Sequence, residues 1–109
     1  GRNLFRAAFG PYYATPVYNK FLSWAGYDEA ADTISKGWAA KDRDMTASAM
    51  TDAMIDEIAI IGNEDEIRAR IQEDADGGVD THIIAPLGGS KEDLDRTFSA
   101  FTGDKFQFA

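Results

Sequence analysis

Few residues in this chain have the type and spacing to do chemistry. Pro86-Leu87-Gly88-Gly89-Ser90 is a glycine-rich loop leading into a helix start. Backbone amides and the positive end of a helix dipole at such a place can hold an anion. Gly88, Gly89 and Ser90 are therefore weak cofactor-binding candidates, set against the plainer and preferred reading of a turn with a serine cap. His82 is the only histidine. A catalytic base or metal ligand needs a convergent partner, and no His/Asp/Glu cluster stands at ligand spacing, so a structural histidine is preferred and no metal is expected. Asp42, Asp44, Asp52, Asp56 and Glu57 are spread along helical segments, which reads as a solvated face rather than a cation site. Tyr12, Tyr13, Tyr18, Trp24 and Trp38 have the chemistry to line a pocket for a planar ring. At helical spacing Tyr18, Trp24 and Trp38 are expected in the core, and Tyr12 and Tyr13, beside Pro11, stay open. The nucleophile elbow, Walker loop and Rossmann fingerprint are all absent, and no catalytic residue is assigned.

The elements that would position these residues centre on Ile58 to Pro86. Asn63 with Glu66 forms a capping box, so a helix is expected over 64–77, its first turn acidic and its wet side carrying the pairs Glu64/Arg68 and Glu66/Arg70. Ile67, Ile71 and Ala75 form its apolar stripe, and Gly77-Gly78 supplies a left-handed residue to end it. Val79 to Ala85 is rich in β-branched residues and closed by Pro86, which predicts a short buried strand over 79–85. A helix, Gly-Gly and then a strand is half of a βα repeat.

Upstream, residues 1–62 read as a helical segment. Leu4, Phe5, Ala8, Phe9 and Tyr12 share a face, with Pro11 expected to end or kink that helix. Thr15-Pro16 opens a second helix that Gly26 closes, with Val17, Tyr18, Phe21, Leu22, Trp24 and Ala25 on its apolar face. Asp28 is expected to cap a third, carrying Ala30, Ile34, Gly37 and Trp38 inward. A fourth, about Met45 to Ile58, aligns Met50, Met54, Ile58 and Ile61, although Ile58 to Ile61 fits a short extended piece equally well. Downstream, Ser90 caps a final helix over 91–102 with Leu94, Phe98 and Phe101 inward. Gly103 ends it, before Phe106 and Phe108. A lone strand leaves two rows of backbone groups unpaired, so 79–85 needs partners that these 109 residues do not supply.

The chain is 44% apolar and 12% aromatic, enough for a real core in a single domain. Its net charge of −8 and pI near 4.4 argue against binding nucleic acid or an anionic membrane. No apolar run is long enough to span a bilayer, and no signal-peptide pattern is present. The absence of cysteine excludes disulfide and thiolate chemistry. A cytoplasmic address fits. Gly1 in place of Met, with a helix already under way, suggests an incomplete domain or a trimmed tag.

Several motifs stand in order along the chain: L-F-R-A-A-F-G-P-Y-Y-A-T-P-V-Y at the start, W-A-G-Y-D-E-A, G-W-A-A-K-D-R, the M-T-D-A-M-I-D turn, then I-R-A-R-I and G-G-V-D. In order and spacing they resemble the C-terminal part of the luciferase-like flavin and deazaflavin oxidoreductases. That family's G-T-P-E-E turn is replaced here by Gly62-Asn63-Glu64-Asp65-Glu66, which keeps the cap and loses the proline. The resemblance implies an α/β fold: the last third of a (β/α)8 TIM barrel, mostly helical, with its final strand at 79–85. It implies FMN or a deazaflavin as cofactor, a small-molecule substrate, and hydride transfer or oxygen activation. The flavin phosphate is expected to be held mainly by loops upstream, leaving this segment inactive alone. It also puts Tyr12 and Tyr13 near the barrel mouth, which makes them weak substrate-contact candidates. The rival expectation is a stand-alone helical module that self-associates through its apolar helices or its unpaired strand.

Overall fold

The protein is described by a computed structural model that covers residues 1–87 and 89–102. Seven helices lie among the described residues: α1 Arg2–Tyr13, α2 Pro16–Trp24, α3 Asp28–Ala39, α4 Arg43–Ser48, α5 Asp52–Ile58, α6 Glu64–Asp76 and α7 Lys91–Phe101. The chain divides into two units, Gly1–Ala59 and Ile60–Ala109.

In the first unit the core is made by Phe5 and Tyr13 of α1, Leu22 of α2, Ala31 and Ile34 of α3, Met50, and Met54 and Ile55 of α5. Pro11 does not end α1, which runs on to Tyr13. An interior proline costs a helix about 3 kcal/mol, and the compensation is visible in Tyr13, whose ring packs 6.5 Å from Phe5 and 6.4 Å from Phe9. Thr15 takes the N-cap position of α2 with Pro16 behind it, but its hydroxyl donates to the Tyr12 carbonyl instead of serving the helix. Tyr27, not Asp28, caps α3, and Asp28 and Glu29 sit in its first turn.

The single helix expected from Met45 to Ile58 is two. Thr51 starts a new one by accepting from the Met54 amide, and Arg6 holds the break: its Nε donates to the Met50 carbonyl and its Nη2 to Asp52. One turn earlier in α1, Arg2 forks onto both oxygens of Asp56 at 2.9 and 2.8 Å. Asn19 ties three helices together, its Nδ2 donating to the Tyr13 and Ala31 carbonyls.

In the second unit α6 has both halves of its capping box, Glu66 N to Asn63 Oδ1 at 3.0 Å and Asn63 N to Glu66 Oε2 at 2.8 Å. That use of the Glu66 carboxylate explains why Arg70 lies beside Glu73 and not Glu66; Glu64 and Arg68 pair as expected. Ile71 is buried, and Ile67 and Ala75 are half-buried.

The α/β expectation is not met. Among the described residues there is no strand, and Val79 to Ala85 is irregular, with Val79, Ile83 and Ile84 exposed. The segment has the side chains of a strand. Among the described residues no second strand lies alongside it, so no ladder forms, and the chain is not an α/β barrel fragment with a clear strand.

Candidate functional site

The loop before α7 presents its polar groups inward. Ser90 Oγ accepts from the Asp93 amide and donates to Asp93 Oδ2, and the Ser90 amide donates to the same carboxylate. Those contacts, the Ser90 amide first, with help from Arg96, hold the Asp93 carboxyl below its ordinary value. Gly89 takes a left-handed φ of +104°, and Gly88 lies outside the described residues. An anion arriving here would meet the carboxylates of Glu92 and Asp93 where free donors are needed.

The two tyrosines beside Pro11 part company. Tyr13 is buried, and burial raises the pKa of its hydroxyl. Tyr12 is 55% exposed and meets Tyr18 edge to face at 6.0 Å. The rings expected in the core lie outside it: Trp24 is 84% exposed, with Tyr18 and Trp38 near half. On α2 only Leu22 is buried, so Val17, Tyr18, Phe21 and Trp24 leave an apolar face in the open. His82 is half-buried, with both ring nitrogens shielded from solvent. Gly103, Phe106 and Phe108 lie outside the described residues.

The acidic residues have structural duties. Asp42 caps α4 through the Met45 amide, Asp52 and Asp56 take Arg6 and Arg2, and Glu57 accepts from the Tyr27 hydroxyl. The Arg2 guanidinium hydrogen-bonded to Asp56 holds that carboxyl below its ordinary value. Among the described residues no group of three or more His, Asp or Glu side chains is placed to hold a metal ion.

One concavity among the described residues has no counterpart in the sequence reading. A cleft of about 320 Å³ at the α3–α4 turn is lined by Gly37, Trp38, Lys41, Asp42, Arg43 and Thr46. Its floor is a close helix contact: a Cβ on Gly37 would stand 2.7 Å from Thr46 Oγ1 and 2.9 Å from the Thr46 amide nitrogen. Thr46 is buried, its hydroxyl donating to the Asp42 carbonyl. At the rim α3 ends in a Schellman turn, with Asp42 N bonded to Gly37 O at 2.8 Å and Lys41 N to Trp38 O at 3.0 Å. This turn needs a left-handed residue, normally glycine. The equivalent positions after α2 and α6 are Gly26 and Gly78, whereas here Lys41 carries the φ of +57°. The one advance signal was the charged run Lys41-Asp42-Arg43-Asp44, which reads as an ordinary surface turn.

Among the described residues no helix is long and apolar enough to cross a membrane. A family model described as luciferase-like monooxygenase matches residues 2–81, well over half of the chain. Comparison with curated proteins and with solved structures gives no match.

Proposed function

The chain belongs to the luciferase-like monooxygenase family, and on that premise we propose that it is a C-terminal segment of an oxidoreductase using FMN or a deazaflavin, inactive by itself. The family match carries this reading. A bound flavin would supply hydride transfer or oxygen activation to a small-molecule substrate. The loop before α7 does not fit a flavin phosphate, because Asp93 already occupies the Ser90 donors. What these residues supply is the helical stack, with Tyr12 the ring of the Tyr12–Tyr13 pair that is open to substrate.

Two assays test the reading. The 109-residue chain, supplied with either flavin, a reductant and oxygen, should show no turnover above a protein-free control; turnover would overturn its inactivity alone. The product of the reading frame that carries this segment should then depend on FMN or on the deazaflavin, and a product indifferent to both would sink the oxidoreductase reading.

A second reading has its own observation, the exposed Val17, Tyr18, Phe21 and Trp24 face of α2. Faces of this kind mark interaction surfaces, and self-association as a helical module would cover it. Sedimentation velocity should then show an oligomer that Trp24→Glu returns to monomer. A wild-type chain that stays monomeric would dismiss this reading.

A further inference from the structure

We propose that the α3–α4 cleft is a binding site for a small planar aromatic anion, an aryl carboxylate or aryl phosphate, with Trp38 taking the ring and Lys41 and Arg43 the charge. The proposal stands apart from the flavin reading and uses neither the loop before α7 nor the α2 face.

The chain carries 19 acidic residues against 11 cationic ones. Of the ten cationic side chains in the described residues, seven are in ion pairs: Arg2, Arg6, Lys36, Arg68, Arg70, Lys91 and Arg96. Lys20, Lys41 and Arg43 make none among those residues, and two of these three line the same cleft. Asp42 also lines it, with Oδ1 committed to the Met45 amide, and Asp44 is exposed next to Arg43. These neighbours moderate the site, so a singly charged group suits it better than a compact polyanion.

Trp38 is 48% exposed beside two cations, and an aromatic ring beside a fork-shaped guanidinium accepts a flat ligand bearing an oxyanion. The volume, about 320 Å³, lies at the lower end of the range for small-molecule sites, roughly 300–1,000 Å³. The floor leaves no room for even one added methyl group at Gly37.

Lys41 occupies a left-handed position that glycine fills in the two matching turns of this chain. Strain of this kind persists where surrounding structure over-determines it, and it clusters at ligand sites. Here the Schellman bonds on one side and the Asp42 cap on the other hold the lysine at the cleft rim.

Lys41→Gly gives a clean test because it removes the cation while relieving the backbone. The full chain, labelled with nitrogen-15, is titrated by NMR with naphthyl phosphate, naphthoate, neutral naphthylmethanol and inorganic phosphate. Saturable shifts of the Trp38 indole and of the Lys41 and Arg43 amides are expected with both aromatic anions. If only one of them binds, it names the anionic group. The neutral ring and the bare phosphate should each bind at least about tenfold more weakly. Lys41→Gly and Arg43→Gln should each weaken the aromatic anion by about tenfold, with the melting temperature of Lys41→Gly no lower than wild type. Equal binding of the neutral ring, unchanged affinity in both variants, shifts centred elsewhere, or no shift with either aromatic anion would each overturn the proposal.

Discussion

The better-capped unit of the chain is the more loosely packed one. Unit 2 has both complete capping boxes, Asn63 with Glu66 and Ser90 with Asp93, yet among its described residues Ile71 is the sole buried large apolar side chain and α7 has none. Unit 1 has only single-sided side-chain caps, at Asp42 and Thr51, yet it buries Leu22, Ile34, Met50, Met54 and Ile55 almost completely. Capping decides where a helix starts, and burial decides what holds it in place. Backbone amides of α1, α3 and α5 should therefore exchange with solvent more slowly than those of α6 and α7. Equal protection would erase the distinction.

The largest effect is expected from a core truncation. Leu22→Ala should destabilise the protein by about 2–5 kcal/mol in urea unfolding followed by circular dichroism, whereas Phe98→Ser, on an exposed ring of α7, should stay within about 0.5 kcal/mol of wild type. A reversed order would mean that unit 2 carries the stability. Next in size is Gly37→Ala, whose Cβ must displace Thr46 and should cost about 1–3 kcal/mol. Little or no change would show that the α3–α4 contact gives way freely. Asn63→Ala removes one acceptor from a box in unit 2 and should cost about 1 kcal/mol. The loss should appear as faster exchange in α6 alone.

The smallest effects are expected in acid. Asp56 and Asp93 have folded pKa values below the ordinary 3.8. Each therefore contributes stability that is present above that value and fades as pH falls through its folded pKa. Both groups are exposed, so solvent screens the effect. Asp56→Asn should lower the unfolding midpoint slightly at neutral pH and flatten its fall in this acid range, so that variant and wild type converge in acid. An unaltered acid limb would place the sensitivity in other carboxylates.

The corrections share one cause. On α1 the expected face runs through Leu4, Phe5, Ala8, Phe9 and Tyr12; the core takes Phe5 from it and Tyr13 from outside it, and leaves Leu4 and Tyr12 exposed. On α2 the apolar residues run so far round the helix that periodicity cannot say which side faces in, and Leu22 alone is buried. Trp38 follows Gly37 on the same turn, yet Gly37 faces Thr46 and Trp38 faces solvent. The cleft escapes a sequence reading because its rim depends on a left-handed lysine, where glycine is the usual signal. The clamps made by Arg6 and Asn19 escape it because their partners lie at Met50, Asp52 and Ala31.

By itself the sequence determined the helix starts at Asn63 and Ser90, the glycine stops at Gly26 and Gly78, and the order of motifs that marks the family. Each stop or start is decided within about one helical turn, by groups that must satisfy one another locally. Only the tertiary structure decided which face of α1 and α2 is buried, where the segment from Met45 to Ile58 divides, and that Val79 to Ala85 forms no strand. Burial and ladder pairing both require a partner distant in sequence, and whether that partner exists is not written in the segment that needs it.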